Sequence, residues 1–152
     1  MSWRILVLLI AVVSGHAAAD IMQPPAVTCL ALNVYYEARG EPYEGQMAVA
    51  QVAVRRAGFD EDWICPAVYA GRQFSWTSRI NRTLPRPRDL DAWHRAQSVA
   101  RMALLWGHLQ HVPDYSRGAT HYHSIRVRPS WSLRMREVAR IGRHRFYRDG
   151  TS

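Results

Sequence analysis

The sequence predicts an α+β domain that is mainly helical, with a small antiparallel sheet late in the chain. Up to His111, apolar residues recur at helical spacing in segments bounded by proline, aspartate and glycine. After His111, the segments GATHYHS and VARIGRHRFYR alternate or run through β-branched and aromatic residues, which is typical of two or three short strands. Helices followed by a small sheet form the α+β class. The 152 residues are enough for one domain with its own core.

The first two helices are predicted on either side of Gly40. Thr28 is a plausible N-cap for CLALNVYYEA, so the first helix should run from about Cys29 to Ala38. Pro42 suits the first turn of a second helix, PYEGQMAVAQVAVRR, which should end near Gly58. The alanine and valine content of this second helix predicts a buried, central position.

Two further helices are predicted before the strands. A short one should run from Pro66 to Tyr69, followed by a loop-like segment from Gly71 to Arg88 that is rich in turn formers. The longest helix should be DLDAWHRAQSVARMALLWGHLQ, with Asp89 or Asp91 at its N-terminus.

Residues 1–19 have the layout of a secretory signal peptide. Arg4 supplies the positive charge, an apolar run covers Ile5 to Val13, and small residues precede a predicted cleavage after Ala19. The apolar run is too short to span a bilayer comfortably. We therefore expect residues 20–152 to form one exported domain, periplasmic or in the cell wall, with no stable membrane span. An uncleaved signal that tethers the chain is the alternative.

The two remaining features of composition are the cysteines and the charge. A lone cysteine pair in an oxidising compartment usually forms a bridge, so we expect a disulfide between Cys29 and Cys65. The formal charge is +8, and all the cationic residues are arginines, which favours polyanionic partners such as cell-wall polymer or anionic lipid. The arginines are spread along the chain rather than clustered on one helix, so we expect no nucleic-acid partner. We also expect a monomer.

Glu37 is the candidate catalytic residue because of its position in the first helix. Leu30, Val34 and Glu37 stand at i, i+4 and i+7, so Glu37 continues a stripe that should face the core. Desolvation penalises the charged form of a carboxyl group and raises its pKa. A carboxylic acid that is still protonated near neutral pH is what a glycosidase uses to protonate a leaving oxygen. An exposed Glu37, or one paired with Arg39, is equally compatible with the pattern.

Glu41 and Glu44 have a different predicted role. Both lie at the start of the second helix, where carboxylates meet free backbone N–H groups and the positive end of the helix dipole. We therefore expect both to be caps. No second carboxylate stands out as a partner for Glu37.

Several separated motifs carry a resemblance to a known family. LALNVYYEARGEPYEGQMAVAQVAVRR, QFSW, GATHYHS with VRPSW, and IGRHRFYR lie in this order between Val27 and Arg148. Together they resemble the catalytic domain of the SleB and CwlJ type cell wall hydrolases, known from spore cortex lysis. The resemblance implies a lysozyme-like, transglycosylase-related fold that cleaves peptidoglycan glycan strands. It also implies that Glu37, which precedes the A-R-G-E run, is the catalytic acid. Spore enzymes of this type usually carry wall-binding repeats or act with accessory proteins. Because this sequence instead combines a predicted signal peptide with a predicted disulfide, we expect a periplasmic or phage-derived relative.

The resemblance also implies the reaction and the groove. With one acid and no evident nucleophile, we expect a lytic transglycosylase that cuts between N-acetylmuramic acid and N-acetylglucosamine. Simple hydrolysis is the alternative. Sugar-binding grooves use aromatic faces and hydrogen-bonding side chains. The candidates for this role come from the matching segments: Tyr36, Gln73, Ser75, Trp76 and Tyr122. Tyr35 and Trp93, at helical spacing, should pack in the core.

The H-Y-H segment suggests two interpretations. On a strand, His121 and His123 point to one face, and His144 could lie on the neighbouring strand. Three histidines can bind zinc with an open position for water, which would make the protein a metal-dependent amidase or peptidase. The other interpretation is that His121 and His123 bind substrate or orient Glu37, with no metal and no other cofactor. A third alternative is a non-catalytic basic wall-binding module.

Overall fold

The structure is a computed structural model that describes residues 25–70, 76–77, 86–109 and 112–150. The predicted signal peptide, Gln73 and Ser75 lie outside these residues. The described part confirms the predicted fold class, because helices come first and a three-stranded antiparallel sheet comes last. The helices are α1 (Ala26–Ala38), α2 (Tyr43–Arg56), α3 (Ile64–Tyr69) and α4 (Leu90–Trp106), and the strands are β1 (His121–Ser124), β2 (Met135–Ile141) and β3 (His144–Asp149). Short 3-10 helices span Glu61–Trp63 and Ser130–Arg134.

Helix α1 is the centre of the helical core. Every residue from Cys29 to Tyr35 is at most 3% exposed, and the helix packs against α2, α3 and α4. A helix that is apolar nearly all round is stable only when it is covered on every side, which explains this central position. The buried, central position predicted for α2 is confirmed, because every residue from Gly45 to Val54 is buried and the helix lies between α1 and the sheet.

The predicted N-cap of α1 is wrong. The helix begins at Ala26, and Pro25 takes the N-cap position. The backbone N–H of Thr28 donates to the carbonyl of Pro25 at 2.8 Å, so Thr28 lies inside the first turn. Proline has no N–H to leave unpaired and its φ is fixed, which makes it a suitable residue at a helix start.

Helix α3 is held to α1 by the predicted disulfide. The bond joins Cys29 and Cys65 and confirms the pairing expected from the sequence. Helix α3 begins two residues earlier than predicted, at Ile64, because a 3-10 turn leads into it. The Asp60 side chain caps that turn by accepting from the N–H of Asp62 at 3.0 Å.

The start of α4 is fixed by two side chains. The carboxylate of Asp89 accepts from the N–H of Ala92 at 2.9 Å, which confirms the predicted cap. The hydroxyl of Tyr35 accepts from the N–H groups of Arg88 and Asp89 at 3.1 and 3.0 Å. Tyr35 also meets the Trp93 ring edge to face, with centroids 6.2 Å apart, so both residues have the packing role predicted for them. The helix ends at Trp106, four residues before the predicted end.

The sheet has the strand order β1-β3-β2 and two distinct faces. In the β1–β3 register, Tyr122 pairs with Phe146 and His123 pairs with Arg145. Directly paired residues point to the same side of a sheet. The inner face, which carries Tyr122 and the fully buried Phe146, packs on α2. We call the opposite side the outer face, and it carries His121, His123, Arg145 and Tyr147.

The turn before β1 is tied to α2 by Arg55. Its guanidinium donates to Asp114 at 2.7 Å, to the Ser116 hydroxyl at 2.8 Å and to the Ala119 carbonyl at 3.0 Å. A guanidinium that satisfies three acceptors holds the segment in one geometry. The entry into β1, and with it Tyr122, is therefore fixed relative to the helices.

Helices within the described ranges are all too short or too polar to cross a lipid bilayer.

Candidate active site

Glu37 lies in the last turn of α1, where the buried part of the helix meets the surface. Leu30 and Val34, which share its stripe, are fully buried. The stripe therefore faces the core as predicted, and Glu37 is half-buried at its edge.

Burial raises the pKa of the Glu37 carboxyl from its ordinary value of 4.5 to about 7. Desolvation is the cause, and no charged neighbour in the described part of the chain contributes to the shift. The position near the C-terminal end of α1 also disfavours an anion, because helix carbonyls present partial negative charge there. A carboxyl group of this kind is about half protonated at neutral pH, where an ordinary glutamate is almost fully ionised.

The alternative in which Glu37 is paired with Arg39 is wrong. The Arg39 guanidinium lies over the Tyr35 ring, 5.0 Å from its centroid. Among the described residues, the ion pairs involve other acids than Glu37. Residues two apart on a helix point in nearly opposite directions, which separates these two side chains.

Tyr122, on the inner face of the sheet, lies within electrostatic range of Glu37. Burial raises the pKa of Tyr122 well above its ordinary value, and the negative charge of Glu37 raises it further. A hydrogen bond with Asn33 and the positive charge of Arg56 act in the opposite direction. The phenol therefore stays protonated over the working pH range and can act as a hydrogen-bond donor beside the Glu37 carboxyl.

Tyr36, which directly precedes Glu37 in the sequence, forms an aromatic pair with Trp76. Their rings are stacked, with centroids 5.2 Å apart and planes 26° apart. Trp76 is only 8% exposed, whereas Tyr36 is half-buried. The buried Trp76 ring thus packs against one face of the Tyr36 ring, and the Tyr36 ring is the more accessible of the two. Gln73 and Ser75 lie outside the described residues.

The prediction that Glu41 is a helix cap is wrong. Pro42 occupies the N-cap position of α2, and Glu41 is buried in an ion pair with Arg143 of the β2–β3 turn. Its carboxylate accepts from the backbone N–H and the Nε of Arg143, at 2.9 and 2.7 Å. Burial alone would raise the pKa of Glu41, but these hydrogen bonds and nearby positive charge outweigh it and lower the pKa. Glu44 is exposed in the first turn of α2, and its capping role stays a prediction.

The three histidines are not brought together. His144 pairs with Ser124 in the β1–β3 register, so it lies on the inner face, away from His121 and His123. Both ring nitrogens of His123 are already engaged, Nδ1 with the Ser124 carbonyl and Nε2 with the Tyr147 hydroxyl. No group of three or more potential metal ligands exists among the described histidines, cysteines and acids. The geometry contradicts a zinc site built from these residues. It also separates His121 and His123 from Tyr122, which alone of the three lies beside Glu37.

Comparison with known proteins identifies the family of this chain. A family model described as Cell Wall Hydrolase matches residues 40–147. The chain belongs to the cell wall hydrolase family. The matched segment begins three residues after Glu37 and includes α2, α4 and the sheet.

One curated relative and two solved structures are similar to this cell wall hydrolase. A spore cortex-lytic enzyme of Oceanobacillus iheyensis is 29% identical over 88% of this chain, which spans 49% of that enzyme. The catalytic domain of the germination-specific lytic transglycosylase SleB from Bacillus anthracis has a TM-score of 0.62 at 22% identity, covering 85% of this chain and 98% of that domain. The SleB catalytic domain of Bacillus cereus has a TM-score of 0.59 at 23% identity, covering 81% and 90%. These structures share the fold of the present hydrolase.

Two residues linked to Tyr122 were missed in the sequence. Asn33 is a fully buried amide in the apolar run LALNVYY, four positions before Glu37 and on the same helix face. Such a polar residue in a buried stripe is the signal that would have identified it. Arg56 is half-buried at the end of α2, within electrostatic reach of Tyr122. Nothing in its sequence context distinguishes it from the other arginines.

Proposed function

We propose that this hydrolase cleaves the glycan strand of peptidoglycan between N-acetylmuramic acid and N-acetylglucosamine, as a lytic transglycosylase. The observation that carries the proposal is the half-buried carboxyl of Glu37, whose pKa is raised to about 7 by desolvation. The family agrees with this reaction class, and so does the similar SleB domain of Bacillus anthracis, which is a lytic transglycosylase. Peptidoglycan lies outside the cytoplasm. We therefore propose that the predicted signal at residues 1–19 directs export of the protein to the periplasm or cell wall.

In the first step, protonated Glu37 donates its proton to the glycosidic oxygen while the bond from that oxygen to C1 of the muramic acid breaks. Positive charge develops on the sugar ring in an oxocarbenium-like transition state. The leaving N-acetylglucosamine departs with a neutral hydroxyl group. Glu37 is left as a carboxylate near the positive sugar, which offsets the cost of its desolvated charge.

In the second step, the Glu37 carboxylate takes the proton of the C6 hydroxyl of the same muramic acid. The C6 oxygen bonds to C1, which gives a 1,6-anhydro sugar and restores the protonated acid. One residue serves as acid and then base, because the group deprotonated in the first step is the base that the second requires. Among the described residues, no charged group contributes to the pKa shift of Glu37, which supports a mechanism with a single acid. Protonated Tyr122 is a neutral group within electrostatic range of the Glu37 carboxylate.

Mass spectrometry of fragments released from purified peptidoglycan tests the proposal. The parent protein should release fragments with 1,6-anhydro ends. Glu37→Gln should still bind peptidoglycan but release fragments about 100-fold more slowly or worse, the minimum expected for loss of a general acid. Glu44→Gln, an exposed glutamate of α2 changed in the same way, should keep the parent rate.

Three results would contradict parts of this proposal in different ways. Lysis by Glu37→Gln at the parent rate would remove Glu37 from the mechanism. Reducing ends in place of anhydro ends would make the enzyme a hydrolase of the same bond. Cleaved stem peptides with intact glycan would make it an amidase or peptidase.

A further inference from the structure

A cavity lies on the outer face of the sheet, which is the face opposite Tyr122. Its volume is about 470 Å³, and residues from all three strands and the 3-10 helix Ser130–Arg134 line it. His123, which the sequence had grouped with Tyr122 as a substrate-binding residue, lies in this cavity instead. The sheet stands between the cavity and the candidate active site.

Hydrogen bonds between polar side chains hold the floor of the cavity in place. The Tyr147 hydroxyl lies 3.0 Å from Nε2 of His123 and 3.4 Å from the Glu137 carboxylate. The Trp131 ring packs edge to face on both His123 and Tyr147, with centroids 5.6 and 5.5 Å away. Because His123 and Tyr147 are 8% and 5% exposed, this floor is rigid and preformed.

The side chains that line the cavity carry a net positive charge. Arg128 and Arg145 line it, and Glu137 is the acid among its lining residues. The Arg145–Glu137 pair is long, at 3.4 Å, and both side chains are about 40% exposed, so the pair is weak. Arg145 also pairs directly with Arg140 across β3 and β2, and like charges in that position destabilise a sheet.

Arg145 also has unused hydrogen-bonding capacity. Its Nε is shielded from solvent and has no hydrogen-bond partner among the described residues. A buried N–H group without an acceptor destabilises the structure. The fold therefore keeps two unfavourable features at one arginine, and a carboxylate bound to the exposed part of its guanidinium would offset the like charge of Arg140.

The rim of the cavity is apolar. Ile125, Val127 and Leu133 line it and are 40%, 55% and 65% exposed. Small apolar groups of a ligand could pack against these side chains while its anionic group meets the arginines. The combination fits a short peptide with free carboxylates and small side chains better than it fits a sugar, which presents hydroxyls.

We propose that this outer-face cavity binds the peptide stem of peptidoglycan, with a stem carboxylate held by Arg128 and Arg145 and alanine methyl groups against the apolar rim. The inference rests on the proposed function, since that function brings the protein to peptidoglycan. Because the sheet separates the cavity from Glu37, the bound stem anchors the enzyme to the wall and takes no part in bond cleavage.

Titration of the full chain with a free stem tetrapeptide, followed by calorimetry, tests this inference. The tetrapeptide has no glycosidic bond, so binding is measured without turnover. Arg128→Gln should weaken binding about tenfold, the loss expected for one charge-assisted hydrogen bond. Arg145→Gln should weaken it at least as much. Arg101→Gln removes the same charge from an exposed position on α4 and should leave binding unchanged.

The proposal is overturned if the tetrapeptide does not bind, or if Arg101→Gln weakens binding as much as Arg128→Gln does. It is also overturned if only vesicles containing phosphatidylglycerol bind in an Arg128-dependent way, because the site would then recognise anionic lipid. Circular dichroism of each variant identifies a loss of fold, and Arg128 is exposed, so its variant should stay folded. Release of anhydro fragments is measured separately, so failure of peptide binding and failure of the proposed reaction are distinguishable.

Discussion

Two glutamates four residues apart show how local surroundings decide what a carboxyl group can do. Glu37 is half-buried beside apolar residues, and its pKa rises to about 7. Glu41 is also buried, but Arg143 supplies two hydrogen bonds to its carboxylate, and its pKa is lowered. One group holds a proton near neutral pH and the other holds a charge. The first suits acid catalysis and the second suits structure.

The raised pKa of Glu37 has a consequence for stability. The folded state binds the proton more tightly than the unfolded state, so Glu37 lowers the free energy of unfolding as pH rises from about 4.5 to about 7. Glu37→Gln removes this cost. We expect the variant to match the parent at pH 4 and to be more stable by about 2 kcal/mol at pH 8.

Urea denaturation at the two pH values measures this difference. Glu44→Gln serves as the control for removing a surface charge. A gain at pH 8 that is equally large at pH 4 would show that the Glu37 carboxyl is not desolvated. A variant that is more stable but inactive would show that the site is maintained at the expense of stability.

At the scale of elements, the β2–β3 turn is held to the start of α2 through Glu41. Gly142 in this turn has a φ of 54°, and a Cβ atom there would overlap the Glu41 carboxylate. Gly118 has a similar φ of 77°, but a Cβ atom there would meet nothing within 4 Å. Alanine variants of the two glycines therefore distinguish the effect of backbone strain from the effect of steric overlap.

We expect Gly118→Ala to lower the free energy of unfolding by about 1 kcal/mol, from backbone strain alone. Gly142→Ala should lower it by at least about 2 kcal/mol more, because the overlap also disrupts a buried ion pair. Thermal or urea unfolding of both variants measures the difference. Equal losses would show that the Glu41–Arg143 contact does not hold this turn.

Local signals in the sequence predicted most elements and missed the long-range contacts. The Asp89 cap, the α2 boundaries and the late strands follow from capping, spacing and β-propensity, which act within a few residues. The assignment of Glu41 failed because its partner, Arg143, is 102 residues away. The same limit applies to His144, since its face depends on the register between β1 and β3.

The candidate site was partly predictable for the same reason. The position of Glu37 at the end of a buried stripe follows from helical periodicity, and the stripe is confirmed. That Tyr122 lies beside it, while His121 and His123 lie on the other face of the sheet, depends on how β1 packs against α1 and α2. Periodicity showed that the three residues alternate but could not show which side meets the helices.

At the scale of the whole molecule, the disulfide constrains the unfolded chain. Cys29 and Cys65 are 36 residues apart, and the loop between them includes Glu37 and all of α2. The chain-entropy model gives a stabilisation of about 4 kcal/mol for a loop of this length. We expect the double variant Cys29→Ala, Cys65→Ala to lose about that much free energy of unfolding, by urea denaturation.

The parent protein treated with a reductant is the matched control. It should unfold at nearly the same urea concentration as the double variant, because both lack the bridge. A reduced parent that keeps full stability would show that core packing alone maintains α1 and α3 together.

Tyr35, Tyr36 and Glu37 are consecutive, yet each faces a different part of the molecule: Tyr35 bonds the start of α4, Tyr36 stacks on the Trp76 ring, and Glu37 lies within electrostatic range of Tyr122. Successive residues of an α-helix are turned by about 100°, so the three contacts together set the rotational phase of α1. A single inserted or deleted residue within this helix would turn Glu37 away from its position and uncouple α4 from its anchor in the same event. The length of α1 is therefore fixed to the residue, and natural variation in chain length should be confined to other segments.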